Sequence, residues 1–465
     1  MSVIQGRTAA EVVDSVRTLI RQGELDVGAV LPPIRALAAD LGVNRNTVAT
    51  AYAQLAAAGV VEARGRAGTT VLGLPSVQGE GAAPSSAAVV NLASGNPDPL
   101  LLPDWSNALT GYRPVLYGTE PVEDRLRSWA ESTMVTTWPE PTTSTSAPAP
   151  TSAPAPVTSP VPPRPDAGRV SVTSGAVDAV ERLLAAHLVR GDAVAVEDPG
   201  FFLSVGTLAA GGYRPRSVDV DAEGMVVDSL ARALAAGARA VICTSRAHNP
   251  TGASLTAARA AALRDLLAAH PDVLVIDDDH FSQIATTAHH PVIPATARRW
   301  ALVRSVSKFL GPDLRVAVLH ADTDTVERIQ HRLGRPTWVS HLLQHTTSAL
   351  LTAPDHEAVC ARARDLYGQR RDHLTAALAE QGVEVFPATD GLNLWIPLRT
   401  TEAVVVDGLA RRGWAVRAGS AFSARPHPAP ALRVTTATLT PEHAVAFAAD
   451  LHTLDTLPTP QRNRP

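Results

Sequence analysis

Of the 41 lysine and arginine residues in this 465-residue chain, all but one are arginine. The exception is Lys308. Alanine and proline run high at the same time, the mark of a GC-rich coding bias, so arginine serves wherever a permanent positive charge suffices. A position that has resisted the change is a candidate for work that needs an amine able to lose its proton. Cysteine is nearly as scarce. Cys243 and Cys360 are too few for a disulfide framework and lack metal-ligand spacing, which points to two buried apolar fillers in a reducing cytoplasm. No window offers the ~20 uncharged apolar residues of a membrane span. The opening "MSVIQGRTAAEVVDSVRTLI" has acidic residues and no unbroken apolar core, unlike a secretory signal. A cytoplasmic protein with no membrane partner is expected. The net charge of −4 excludes a chain built wholly around polyanions but leaves room for one small DNA-reading module.

What is present divides the chain, whose length suits two or three folding units. Over residues 8–22, Val12, Val13, Val16, Leu19 and Ile20 recur at helical spacing behind a Thr8 cap, and Gly23 closes the run. A second helix starts at Pro33, buries Ile34, Leu37, Ala38 and Leu41, and stops at Gly42. A third follows an Asn44 cap, with Val48, Ala51, Tyr52 and Leu55 inward and Gly59 at its end. "VVEARGRAGTTV" then reads as two short strands around a turn. Helix, helix, tight turn, helix and hairpin is the layout of a winged helix-turn-helix. Arg45, Asn46 and Thr47 lie in the first turn of the third helix, where base edges are met, Arg35 is placed for a phosphate, and Arg64 and Arg66 tip the wing.

Residues 74–90 are poor in large apolar groups and read as a linker between a module at 1–73 and a larger domain at 91–458. Residues 142–166, rich in Pro, Ser, Thr and Ala, cannot build a core and read as a surface insertion. From about residue 169 apolar strand runs alternate with helical ones: "RVSVTSG", "DAVAVEDPG", "RAVICTS", "DVLVIDDD", "ALVRSVSK" and "RVAVLHA". A mainly parallel, helix-covered sheet is expected, with ligands at the carboxyl ends of its strands.

Those ends carry chemistry. Ser174, Gly175 and Ala176 form a small-residue turn into a helix, which presents backbone N–H groups to a phosphate. Phe201 is either core or a ring that stacks on a flat heteroaromatic. Asn249, in "HNPTG", offers an amide to a phenolic oxygen. Asp277, Asp278 and Asp279 repel one another unless a cation or a protonated ring nitrogen pairs with one of them; a metal site and a solvated loop are the competing readings. Lys308 has Ser305 before it and Arg315 after it, suited to a dianionic phosphate. His341 and His345 stand one helical turn apart without an acidic partner, so no metal site is expected there. A phosphate cradle, a ring, an amide, an acid and a lone amine are together the needs of pyridoxal 5′-phosphate, whose aldehyde forms a Schiff base with lysine and whose pyridinium pairs with an Asp. Arginine cannot form that bond, which accounts for the single lysine.

The front of the chain resembles the GntR superfamily of winged-helix regulators through "LPPIRALAADLGVNRNTVATAYAQLAAAGVVEARGRAGTTV". The remainder resembles fold-type I aminotransferases through "VTSGA", "EDPGF", "HNPTG", "DDDHF", "SVSK" with Arg315, and "GLNLWIPL" followed by "ALRVTTATL". The combination resembles the MocR subfamily, and within it the PtsJ-like branch through "RAHNPTG" and "DDDHF". The resemblance implies a multidomain chain: a winged helix-turn-helix plus an α/β fold-type I domain with a smaller C-terminal α+β subdomain. It implies Lys308 as the cofactor's internal aldimine and Asp278 at the ring nitrogen. Ser174, Gly175, Ala176, Ser305 and Arg315 would hold the phosphate, Phe201 would stack on the ring where the family shows Tyr, and Asn249 and His280 would approach the ring oxygen. Tyr117 would reach the phosphate of a neighbouring subunit in a homodimer, and Arg433 would bind an effector carboxylate. Ile34 occupies a place that often carries Ser, which removes one phosphate contact. The expected function is a regulator of operator DNA that senses the cofactor or a small amine or amino acid. A catalytic aminotransferase with a helical appendage is the alternative.

Overall fold

The computed structural model describes residues 4–26, 28–63, 65, 68–71, 73, 90–134, 167–334 and 338–456. Arg64, Arg66, most of the expected linker and the whole expected insertion lie outside them. The chain divides into two compact units, one of residues 1–78 with 189–192 and 203–215, the other of 79–188, 193–202 and 216–465.

In the first unit, Thr8 caps α1 (Ala9–Arg21) by accepting from Glu11 N. A short strand, β1 (Val30–Leu31), precedes α2 (Ile34–Leu41). The turn out of α2 needs a left-handed residue, and Gly42 supplies it at φ +64° without a Cβ penalty. Asn44 then caps α3 (Arg45–Ala57), its side chain accepting from Asn46 N at 2.8 Å. Strands β2 (Val61–Ala63) and β3 (Thr69–Val71) form the hairpin, and β1 adds to it in the order β1-β3-β2. Val12, Val16, Leu19, Leu37, Val48, Ala51, Tyr52 and Leu55 meet in one core, each large aliphatic contributing about 1.5–3 kcal/mol. Ile34 departs from expectation: it is exposed, because Leu37 and Ala38 take the inward face of the two-turn α2 and Pro33, not a helical residue, forms the cap. Replacing Asn44 with alanine is expected to cost about 1 kcal/mol through the lost cap, read as a lower urea midpoint.

In the larger unit, β4 (Val90–Asn91) begins at the last residue of the expected linker. The main sheet is built from β5 (Arg169–Thr173), β6 (Ala193–Glu197) and β7 (Arg214–Val218), followed, after a small hairpin of β8 (Val220–Asp221) and β9 (Gly224–Met225), by β10 (Ala238–Cys243), β11 (Leu274–Asp278), β12 (Trp300–Ser305) and β13 (Ala317–Ala321). Its order is β5-β13-β12-β11-β10-β6-β7. Strands β12, β11, β10 and β6 are mutually parallel, while β13 is antiparallel to both β12 and β5. Two reversals cancel, so β5 runs with the parallel set. The carboxyl ends of five strands therefore share one edge, and the segment carrying Lys308 is the connection from β12 back into β13.

A second sheet, β14 (Asn393–Pro397) with β17 (Ala431–Thr435) and β16 (Arg417–Ala418), has the order β14-β17-β16. The strand β15 (Trp414–Ala415) pairs with β4 instead. Leu394, Ile396, Leu432 and Val434 pack with Leu374, Phe447 and Leu451 in a separate core. This is the smaller α+β part expected near the C-terminus.

Candidate cofactor and ligand site

The three consecutive acids at the end of β11 are all buried, and the structure distinguishes them by their partners. Asp277 accepts from Val292 N at 3.2 Å and lies 3.3 Å from His289 Nε2. The side chain of His289 is thereby almost wholly covered. Asp279 is gripped by two buried guanidiniums, Arg246 donating at 2.6 and 2.9 Å and Arg304 at 2.9 Å. Burial opposes its charge, yet Arg246, His289 and Arg304 more than offset that and hold the carboxyl well below the usual range. Asp278 makes no hydrogen bond or ion pair among the described residues, and its Oδ1 is buried with no partner. Burial, then Asp279, Asp277 and Glu197, push its pKa up to about 8. A protonated ring nitrogen is a partner such an acid lacks. Among the described residues no group of three or more His, Cys, Asp and Glu is arranged to hold a metal ion.

Lys308 donates from Nζ to Gly95 O at 2.8 Å. Gly95 N in turn donates to Thr435 Oγ1 at 3.1 Å. Two residues before Gly95, Ala93 O accepts from Arg433 Nη2 and from Arg417 Nε, the latter at 3.3 Å. Arg433 is fully buried; its Nη1 donates to Asn249 Oδ1 at 3.4 Å, and Asn393 Nδ2 approaches the same oxygen at 3.4 Å. Lys308, Asn249 and Arg433 are thus joined through the segment 93–95 and one amide oxygen.

The phosphate candidates also assemble. Gly175 precedes the helix Ala176–His187 at φ +95°, and a Cβ there would come within 3.0 Å of Arg315 Nη2. Only glycine lets the guanidinium lie so close to the turn. Arg315 donates to Ser174 O at 3.0 Å from a left-handed backbone, φ +49°, a conformation costing about 1–3 kcal/mol for a non-glycine residue. Ser305 Oγ meets Ser307 Oγ at 3.0 Å, so Ser307 joins the hydroxyl pair. A helix N-terminus, a guanidinium, two hydroxyls, an orphaned acid and an amine form a donor set that fits pyridoxal 5′-phosphate.

The remaining candidates have contacts of their own. Phe201 is half-buried, edge-on to Phe202 with ring centroids 5.2 Å apart. His280 follows the acids, its ring 6.1 Å from that of Phe281. Tyr117 is 91% exposed and edge-on to Trp338, on the surface and not in the chain's own site. His341 bonds Glu120 O at 2.9 Å. In the first unit Arg35, Arg45 and Asn46 are exposed and Thr47 half-buried. Sequence reasoning missed Arg246, Arg304 and Arg417. A charged residue inside the apolar run "ALVRSVS" was the available signal for Arg304.

Residues 8–71 match the family of bacterial regulatory proteins, gntR family, and residues 160–451 match aminotransferase class I and II. The chain is 44% identical over 454 residues to the vitamin B6 salvage pathway transcriptional repressor PtsJ of Salmonella typhimurium, covering 97% of this chain and 99% of that protein. It is 30% identical over 401 residues to the HTH-type transcriptional regulator TauR of Rhodobacter capsulatus, covering 79% and 78%. Among solved structures, the kynurenine aminotransferase of Pyrococcus horikoshii has a TM-score of 0.67 at 18% identity over 79% of this chain and 91% of that one, a likeness of fold. No helix among the described residues is long and apolar enough to cross a membrane. An aminotransferase domain of this class takes pyridoxal 5′-phosphate as its cofactor, and a GntR helix-turn-helix binds DNA. The chain accordingly belongs to the MocR subfamily of GntR-type transcriptional regulators, in which a winged helix-turn-helix is followed by a pyridoxal-phosphate domain of aminotransferase fold.

Proposed function

We propose that this regulator reports the supply of vitamin B6 by binding pyridoxal 5′-phosphate at Lys308, and that occupancy changes its hold on operator DNA. The observation that carries the reading is Asp278, a buried acid left without a partner while both neighbours have theirs. When bound, the cofactor supplies an aldehyde that reacts reversibly with amines and an electron-withdrawing ring. Lys308 would hold the aldehyde carbon, Asp278 the ring nitrogen, and Ser174, Gly175, Ala176, Ser305 and Arg315 the phosphate. Phe201 would cover the ring face, and Asn249 and His280 the ring oxygen. Arg433 would take the carboxylate of an amino-acid effector. Similarity to a repressor of the vitamin B6 salvage pathway supports this choice of signal.

We take residues 1–73 as the DNA-reading head, 74–90 as the linker and 91–458 as the ligand domain. Arg35, Arg45, Asn46, Thr47, Arg64 and Arg66 would contact operator DNA. The protein would act as a homodimer with Tyr117 reaching the partner's phosphate site. Leu100 at 83%, Leu109 at 49% and Leu116 at 80% exposure, like Tyr117, are large side chains that a partner subunit could cover. A ligand shifts DNA binding only if two arrangements of the protein bind it unequally.

Fluorescence anisotropy with DNA from the chain's own promoter tests the reading. Saturating pyridoxal 5′-phosphate is expected to change the apparent Kd by about tenfold or more, equivalent to about 1.4 kcal/mol. Arg45→Ala is expected to weaken binding by about 1–3 kcal/mol whether or not the cofactor is present. An unchanged Kd with and without cofactor would defeat the proposal. The arrangement of Arg433 on Asn249 also suits transamination; robust multiple turnover by a protein that ignores the promoter would favour that second reading.

A further inference from the structure

The main-chain oxygen that accepts from Lys308 Nζ belongs to the segment through which the linker enters the larger unit. That segment begins with β4, where Val90 N donates to Gly413 O at 2.9 Å and Leu92 N to Ala415 O at 2.8 Å, while Leu92 O accepts from Thr435 N at 2.8 Å. Leu92 is fully buried in the core of the smaller sheet. Three residues later, Gly95 N donates to Thr435 Oγ1 at 3.1 Å and Gly95 O accepts from Lys308 Nζ at 2.8 Å. Asp98 then ties the chain to the long helix His356–Glu380. Its N donates to Tyr367 Oη at 3.0 Å, and its Oδ2 accepts from Arg370 Nη1 at 2.9 Å. At Gly95 O, therefore, the connection between β12 and β13 of the main sheet grips the strand that leads back to the DNA-reading head.

We propose that this grip is the regulatory contact of the site: the amine that takes the aldehyde is the amine that holds Gly95 O, so loading with pyridoxal 5′-phosphate loosens residues 93–96. A lysine ammonium has three N–H donors on a rotatable stem. When the unprotonated amine condenses with an aldehyde, nitrogen and carbon become doubly bonded, and the two amine hydrogens leave with the aldehyde oxygen as water. The nitrogen then carries at most one proton, whose direction is set by the cofactor and no longer by the lysine stem. Withdrawing the donor from Gly95 O lets β4 shift with the linker attached to it, which carries occupancy of Lys308 to the head. One hydrogen bond to a charged donor is enough to change an equilibrium about tenfold. The inference rests on the vitamin B6 reading for the identity of the ligand.

Hydrogen exchange of the full chain, read by mass spectrometry on peptides covering residues 90–98, follows the segment directly. Loading with pyridoxal 5′-phosphate is expected to speed exchange there about tenfold. Lys308→Ala without cofactor is expected to show the same fast exchange and to bind promoter DNA with the Kd of the loaded wild type. Lys308→Arg keeps a donor for Gly95 O and cannot condense with the aldehyde. It is expected to hold both quantities at their cofactor-free wild-type values, with cofactor or without. Should loading change the Kd while exchange over 90–98 stays as it was, the coupling runs elsewhere and the inference is overturned, with the vitamin B6 reading left standing. A Kd indifferent to the cofactor would instead strike that reading.

Discussion

Lys308→Ala is expected to abolish the visible absorbance that the wild-type protein acquires with pyridoxal 5′-phosphate, and with it any effect of the cofactor on DNA affinity, while basal DNA binding remains. The reason is chemical before it is structural. This is the only side-chain amine among 465 residues, so no neighbouring lysine can substitute. Losing the covalent link is expected to weaken cofactor affinity by roughly a hundredfold or more, about 2.7 kcal/mol. The substitution also removes the bond from Nζ to Gly95 O, worth about 0.5–1.5 kcal/mol. Arginine at 308 would restore that bond but not the absorbance. Borohydride reduction of loaded protein followed by peptide mapping provides the check: label must appear on the peptide containing residue 308. Wild-type absorbance persisting in Lys308→Ala would refute the assignment.

Asp278→Asn is expected to make the cofactor-free protein more stable at high pH and less able to hold cofactor at any pH. Burial first, and then Asp279, Asp277 and Glu197, raise the Asp278 carboxyl from an ordinary 3.8 to about 8. Between those two values the folded chain keeps a proton that the unfolded chain has released. The proton-linked stability is therefore complete below the ordinary carboxylate range, declines as pH rises, and is gone above about 8. Asparagine cannot ionise, so the variant escapes the decline. At pH ~9 it should exceed the wild type by roughly 2–4 kcal/mol, several degrees in Tm, and the gap should close as pH falls to the ordinary carboxylate range. Loading with cofactor should flatten the wild-type dependence, because a protonated ring nitrogen favours the carboxylate form. Parallel pH profiles for the two cofactor-free proteins would show that Asp278 does not carry the buried charge.

The strand ends were legible because the sheet is built from short apolar runs, and each run stops where polar side chains begin. The caps at Thr8 and Asn44 were legible for a similar reason, since capping depends on residues two or three positions away. The reversed direction of β13 was not, because an apolar run reads alike in either orientation. The exposure of Ile34 was also hidden. Its apolar side chain fits a helical pattern, but a helix of two turns has too little inward face to bury it.

The sequence by itself determined the element types, the winged-helix layout and the identity of the one side chain able to form a covalent bond with an aldehyde, since these depend on local periodicity and on composition. Residue chemistry alone left three adjacent acids equivalent, and the family resemblance pointed to Asp278. The tertiary structure separated them physically, by bringing Arg246 from the loop after β10 and Arg304 from β12 onto Asp279 and His289 onto Asp277, and leaving Asp278 alone. The same holds for Arg417, which is one arginine among many until strand register sets it opposite Arg433. Charge pairing acts over a few ångströms in space and is indifferent to separation along the chain, so a buried acid's role is decided by folding and not by its neighbours in sequence.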